Sequence, residues 1–306
     1  MGVRLPGTFT AGPNFAYALA ARALRRLDGL DLSSWRLALN GAEPIDPDAV
    51  ERFVAAGAPH KLSPDSVFCV FGMAEATLAV TFPDLSSGMS VDAVDRRVLE
   101  TDRYAAPADD ATADVRRLPL LGRPVEGLEM RIVDTETGEA MGDREVGELE
   151  LRGTSVTTGY YKRPDVTAET FHGEWLRTGD LAYTVDGELV ACGRIKDVII
   201  VGGRNVFPED VERAIADIDG VRAGNVIAFG TEGRRGREAL VVVAETKADE
   251  PRAVAETVSA RVTDAVGIPP EEVVMVEPGS LPKTSSGKLQ RSLCRDRYHR
   301  AELQPA

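Results

Sequence analysis

The chain has 306 residues, room for two ordinary domains with a core in each, and it is 43% apolar and 28% charged, as ordinary globular proteins are. A net charge of -13 argues against nucleic acid as a partner, since counterion release rewards clustered Lys and Arg. No apolar run reaches the roughly 20 residues that span a bilayer, and the N-terminus MGVRLPG has neither a signal core nor a Ser or Thr at position 6, so a cytoplasmic protein is expected.

Residues 13 to 27 open with Pro13 and repeat apolar residues at Phe15, Leu19 and Ala23, which predicts an amphipathic helix. An apolar stretch at Trp35 to Leu39, a GAEPID turn, a helix from about Asp46 to Ala56 and a buried strand at Ser66 to Phe71 follow, the alternation of an α/β layer. Between Leu85 and Val115 the chain turns polar and is read as a long surface excursion. From Gly122 the segments GLEMRIVD, GELELRG and DGELVACG alternate with period two and suggest a small barrel or sandwich. After Gly193 the predicted order is strand DVIIV, helix PEDVERAIADI, strands NVIAFGT and ALVVVAET, a helix through Arg252 to Val266, a strand at Val273 to Val276, and a last helix from about Gln290.

Cys69, Cys192 and Cys294 lie far apart with no CxxC, and the three histidines share no ligand spacing with them, so reduced core thiols are expected and a structural metal is not. The one basic run, Lys283, Lys288, Arg291, Arg295, Arg297 and Arg300, reads as a solvated helix face or as the neighbour of an anionic ligand. Within it LPKTSSGKLQR imitates a phosphate loop and fails: Gly279 lies too far back, Leu289 follows the lysine, and Pro282 interrupts what precedes.

Five segments in fixed order give that lysine a context: FGMAEAT (71 to 77), GELELRGTSVTTGYYKRP (147 to 164), WLRTGDL (175 to 181), GRIKDVIIVGGRNVFPEDVE (193 to 212) and PKTSSGKLQR (282 to 291). Together they resemble the adenylate-forming superfamily of acyl-CoA synthetases, and FTAGPNFAYAL, FGMAEAT and GGRNVFPEDVE look most like its fatty acyl-AMP and long-chain acyl-CoA ligase branch. The resemblance implies attack of a fatty acid carboxylate on the α-phosphorus of ATP, loss of pyrophosphate, and transfer of the acyl group from acyl-AMP to a thiol of CoA or of the phosphopantetheine of an acyl carrier protein. It implies a fold with an α/β remnant of the large N-terminal lobe at 1–120, a β-barrel-like subdomain at 121–193 and a small mobile α+β C-terminal domain at 194–306.

Residue by residue, the resemblance gives Lys288 a place between the substrate carboxylate and the α-phosphate, and Asp180 the ribose hydroxyls. Arg194 would assist at ribose or phosphate, and Glu75 would help hold Mg2+ with the nucleotide. Phe71 would lie against adenine opposite a wall of Gly41, Ala42 and Glu43. Lys196 would be the hinge, and Gly202 and Gly203 the face turned toward the pantetheine arm. Each has a plainer reading beside it: an Asx-turn for Asp180, a surface salt bridge for Arg194, core for Phe71, a β-turn for the glycines.

Two departures stand out. The Ser, Thr and Gly-rich loop for the β- and γ-phosphates is expected upstream of FTAGPNFAYAL, and TSVTTGYYK at 154 to 162 imitates it while matching a different motif. The expectation is therefore a chain that begins partway through the large lobe, with residues 1 to about 120 least self-sufficient. Ala74 stands where many relatives carry Thr, which marks the acyl-AMP ligase branch and weakens any phosphate contact there. Two functions remain open: an enzyme, either a shortened copy or half of a split ligase completed by a separate N-terminal lobe polypeptide, and a non-catalytic module that holds AMP, acyl-AMP or a carrier-protein arm.

Overall fold

The computed structural model describes residues 7–85, 87–233, 238–285 and 287–306. The chain divides into two compact units, Met1–Cys192 and Gly193–Ala306.

The first unit begins with a parallel sheet of β1 (Phe9–Gly12), β2 (Leu37–Asn40) and β3 (Val67–Cys69), in that order, with α1 (Asn14–Leu24) and α2 (Pro47–Gly57) as its crossovers. Pro47 stands at the first helical position of α2, where its missing N–H costs nothing, and the Asp46 carboxylate accepts from the Asp48 amide at 3.1 Å. The two helices meet through an edge-to-face pair, Tyr17 and Phe53, with ring centroids 4.9 Å apart. On its other side β1 pairs with no strand among the described residues. Phe9 of β1 is 60% exposed, and Phe15 and Leu19 of α1 are each 57% exposed.

The predicted strand at Ser66 to Phe71 breaks at Val70. Its first part is β3, and Phe71 opens β4 (Phe71–Met73), which pairs antiparallel with β5 (Leu78–Phe82) in a separate ribbon. The polar stretch expected to be a surface excursion contains β6 (Val91–Asp95) and α3 (Arg96–Asp102) and leads into β7 (Val115–Pro119). The two strands pair from Val91 opposite Pro119 to Asp95 opposite Val115, and Val94, Leu99 and Ala105 are buried. A few well-spaced apolar residues therefore order a segment whose average composition is that of a loop.

Next come β8 (Arg123–Pro124), which pairs with β5, then β9 (Leu128–Val133), β10 (Gly147–Gly153), α4 (Pro164–Thr170), β11 (Phe171–His172), β12 (Trp175–Val185) and β13 (Glu188–Arg194). The last five strands form one sheet, β11-β12-β10-β9, with β13 on β12. Leu149 and Leu151 of β10 are fully buried and belong to the same apolar cluster as Phe53 and Val67. The alternate positions Glu148 and Glu150 are buried as well, each paired with an arginine, Arg177 and Arg131.

The second unit carries β14 (Ile199–Val201), β15 (Arg204–Val206), α5 (Pro208–Ala214), β16 (Val221–Glu232), β17 (Glu238–Thr246), α6 (Pro251–Val266), β18 (Glu272–Val276) and α7 (Arg291–His299). β17 is central, antiparallel to β16 and parallel to β18. Val242 and Ala244 pack with Val258, Val262 and Val266 of α6, while Val241 and Val243 pack with Cys294 of α7. Covered on both faces, β17 reads as the continuous apolar run LVVVA. No helix among the described residues is long and apolar enough to cross a membrane.

Candidate functional site

The carboxyl ends of parallel strands are where open α/β sheets bind ligands. At those ends the loop after β2 meets the loop after β3: the Val70 amide donates to the Asn40 carbonyl at 3.0 Å. A Cβ on Gly41 would stand 2.9 Å from the Val70 carbonyl oxygen, so only glycine allows this approach. Gly41, Ala42 and Glu43 therefore lie next to the segment that leads into Phe71, and Phe71 is half-buried against the core of the unit. Ala42 has a left-handed backbone (φ 68°) and is exposed. The Glu43 carboxylate accepts from the Phe15 amide at 3.4 Å, at the start of α1.

Glu75 sits in a single 3-10 turn, Ala74–Ala76, between β4 and β5. Its carboxylate accepts a hydrogen bond from the Tyr160 hydroxyl at 2.9 Å, and its carbonyl accepts from the Thr157 amide at 2.7 Å. The Thr77 hydroxyl donates to the Ser155 carbonyl at 2.8 Å. Three bonds thus stitch the FGMAEAT segment to TSVTTGYYK. Sequence reasoning missed Tyr160, whose only signal was its place in the GELELRGTSVTTGYYKRP segment. Burial, and next the bond to Glu75, hold its phenol above the usual range.

Asp180 is not in a turn. It lies within β12 and is 7% exposed, next to Gly179 at φ 72°, where the register between β10 and β12 shifts from Glu148 to Glu150. The Thr178 hydroxyl donates to the Leu149 carbonyl at 2.8 Å and the Gly179 amide to Glu148 Oε1 at 3.1 Å. The irregularity bends the strand at the aspartate.

The second unit carries the other predicted positions. Arg194 ends β13 and is exposed, and Lys196 is exposed in the 3-10 turn Ile195–Asp197. Gly202 and Gly203 are the two turn residues between β14 and β15, with φ 61° and 82°, bounded by the pair Val201 and Arg204. A two-residue hairpin with both φ positive demands such residues, and open space surrounds both glycines. Lys288 is exposed near the end of a tight loop: the Thr284 amide donates to the Lys288 carbonyl at 2.8 Å and the Lys288 amide to the Thr284 hydroxyl at 3.0 Å. No hydrogen bond or ion pair among the described residues holds its ammonium.

The basic run proves heterogeneous. Lys283 donates to Asn225 Oδ1 at 2.6 Å, and Arg291 is drawn inside, bonded to Asp197, Glu212 and the Ala228 carbonyl, so the run is not one solvated face.

Against known proteins, residues 5–161 match the AMP-binding enzyme family, and residues 203–294 match the AMP-binding enzyme C-terminal domain. The chain belongs to the AMP-binding enzyme family. A Mycobacterium tuberculosis protein provisionally assigned as a ligase is 45% identical over 94% of this AMP-binding chain and 54% of its own length. The medium-chain-fatty-acid–[acyl-carrier-protein] ligase JamA of Moorena producens is 36% identical over 95% of the chain and 52% of its own. A solved structure from a study of fatty acyl-adenylate ligases of E. coli and L. pneumophila superposes with a TM-score of 0.87 at 32% identity, over 97% of the chain and 53% of its own length. This AMP-binding chain therefore spans about half the length of the relatives it matches, among them ligases named for fatty acids.

Proposed function

We propose that this chain is the C-terminal portion of a ligase that activates a fatty acid as its acyl-adenylate and hands it to a thiol of CoA or an acyl carrier protein. The observation that carries the reading is Glu75 fixed by Tyr160 and Thr157, in a chain similar over almost all its length to fatty acyl-adenylate ligases. The chain is completed by an N-terminal half such as its relatives carry. Among the described residues one side of β1 pairs with no strand, and exposed Phe9 on β1 with Phe15 and Leu19 on α1 offers apolar surface to that half.

In this reading Phe71 and the wall of Gly41, Ala42 and Glu43 receive the adenine, and Asp180 accepts from the ribose hydroxyls with both carboxylate oxygens. Arg194 adds positive charge at the ribose or phosphates. The exposed ammonium of Lys288 bridges the fatty acid carboxylate and the α-phosphate, where negative charge accumulates as the carboxylate oxygen bonds phosphorus and pyrophosphate departs. Glu75 suits a Mg2+ ion, because magnesium is held by one or two carboxylates plus substrate phosphates rather than by an all-protein cage, and one Glu75 oxygen is already oriented by Tyr160. When bound, the ion neutralises charge on the phosphates. Lys196 serves as the hinge that exchanges the adenylating and thiol-transfer poses, with Gly202 and Gly203 along the pantetheine path.

The test is fatty-acid-dependent pyrophosphate release from ATP by the 306-residue chain mixed with the N-terminal half of a relative. Release should need both parts, and Lys288→Ala should cut it by at least about 10² while sparing thioester formation from supplied acyl-AMP. Equal loss of both half-reactions would refute that role for Lys288. A silent mixture that still binds AMP would make the chain a binding module instead.

A further inference from the structure

Lys288 is exposed, and among the described residues no hydrogen bond or ion pair holds its ammonium, so its position follows from the two feet of its loop. At the first foot the Leu281 amide donates to Glu245 Oε1 at 3.2 Å and Lys283 Nζ to Asn225 Oδ1 at 2.6 Å. The Gln290 amide closes the loop on the Pro282 carbonyl at 2.9 Å. The second foot is Arg291, the first residue of α7 and three residues beyond Lys288. Its guanidinium is inside the unit and every nitrogen is engaged: Nε donates to the Ala228 carbonyl at 3.0 Å, Nη1 to Asp197 Oδ2 at 2.8 Å, and Nη2 to Glu212 Oε1 at 2.9 Å and Glu209 Oε1 at 3.4 Å.

Asp197 immediately follows Lys196. One planar fork therefore joins the residue after the proposed hinge to the residue that anchors the lysine loop, 94 positions apart. We infer that Arg291 is a positioning residue: it locks Asp197 and the Lys288 loop into one rigid piece, so that rotation is confined to the backbone at or before Lys196 and is delivered undiminished to Lys288. Without the lock the 3-10 turn would absorb part of the rotation and the lysine would arrive displaced. A lysine could not replace the arginine, because four acceptors on three segments match a rigid set of five donors and not a compact ammonium. The inference rests on the ligase reading only for the role of the motion, not for the lock itself.

The experiment is hydrogen exchange followed by mass spectrometry on the full 306-residue chain, unmodified and as Arg291→Lys and Asp197→Asn. The Asp197→Asn variant removes one charge from the cluster and leaves the arginine and α7 in place. Exchange at the Val198 amide, bonded to the Arg194 carbonyl at 3.1 Å, and at the Gln290 amide should accelerate together, at least about tenfold, with Val242 and Ala244 of β17 unchanged. Acceleration at Val198 alone in Asp197→Asn, or no acceleration in Arg291→Lys, overturns the lock. In the enzyme completed with an N-terminal half, both variants should lower the rate of pyrophosphate release with KM for ATP unchanged, and a risen KM at constant rate overturns the positioning role. Absence of fatty-acid-dependent release from the completed unmodified enzyme refutes the ligase reading and leaves the exchange result to decide the lock.

Discussion

The Tyr160 hydroxyl donates to Glu75 Oε1 at 2.9 Å across 85 residues of sequence, so the carboxylate proposed to hold magnesium is aimed by a side chain from another strand connection. A hydrogen bond to a charged group contributes about 1.5 to 3 kcal/mol. Tyr160→Phe keeps the ring and removes the donor. In the completed ligase it should raise the Mg2+ concentration needed for half-maximal ATP–pyrophosphate exchange by roughly 10-fold or more, the equivalent of that bond. Unfolding temperature should fall by several degrees as well, since the bond holds the folded chain whether or not metal is present. An unchanged magnesium requirement would separate Glu75 from the metal.

Asp180 is 7% exposed and sits at a register shift held by Thr178 and Glu148, so the strand there is built around the aspartate without leaning on it for apolar packing. Asp180→Ala should weaken the binding of AMP analogues to the completed enzyme by about 10-fold or more, the loss expected when hydrogen bonds to a carboxylate are removed. Calorimetry with AMP and 2'-deoxy-AMP checks it: the deoxy analogue should lose affinity in the unmodified protein and lose no more in the variant. Equal AMP affinity in both proteins would end the ribose role.

Those two residues show where sequence reasoning reached and where it stopped. α2, α6 and β17 were legible because each carries its burial pattern locally: Pro47 and Asp46 start one, Val258, Val262 and Val266 stripe another, and LVVVA needs two covered faces. The stretch from Leu85 to Val115 was not, since Val94 and Leu99 find their neighbours through a pairing that closes over more than twenty residues. Asp180 was noticed for its chemistry and misplaced in a turn, because Gly179 and Asp180 have turn composition whether they end a strand or bend one. Arg291 was counted into a basic run read as a solvated face or the neighbour of an anionic ligand, and nothing local could betray carboxylates waiting at Asp197, Glu209 and Glu212.

Gly202 and Gly203 allow two roles to be pulled apart. Asn is favoured at the first position of a two-residue hairpin turn with both φ positive, so Gly202→Asn keeps the backbone while adding a side chain. The variant should unfold within about 0.5 kcal/mol of the parent, as surface substitutions compatible with their backbone do. If the pantetheine arm passes this face, adenylation by the completed enzyme stays intact and thioester formation slows. Unslowed thioester formation would leave the glycines as turn residues only.

Three carboxylates, Asp197, Glu209 and Glu212, surround the single guanidinium of Arg291, and each is one-fifth exposed or less. That cluster buries more negative than positive charge, which favours the protonated form of Glu212. Burial pushes the Glu212 carboxyl up from 4.5 to about 7, with Arg291 pulling it down and Glu209 adding to the rise. The sign follows from linkage: a carboxyl protonated more easily in the folded than in the unfolded chain contributes stability that is complete below about pH 4.5 and is lost as pH rises through about 7. The second unit, Gly193–Ala306, should therefore lose on the order of 1 to 3 kcal/mol between pH 5 and pH 8, a fall of several degrees in unfolding temperature. Glu212→Gln preserves an acceptor for the Ala228 amide, which bonds Oε1 at 2.9 Å, and cannot ionise. It should flatten the decline over that interval in calorimetric scans, whereas Glu75→Gln, in the other unit, should leave the slope as it was. A decline that survives in Glu212→Gln would place the titrating group elsewhere, and a rise with pH would mean that Arg291 holds all three carboxylates ionised.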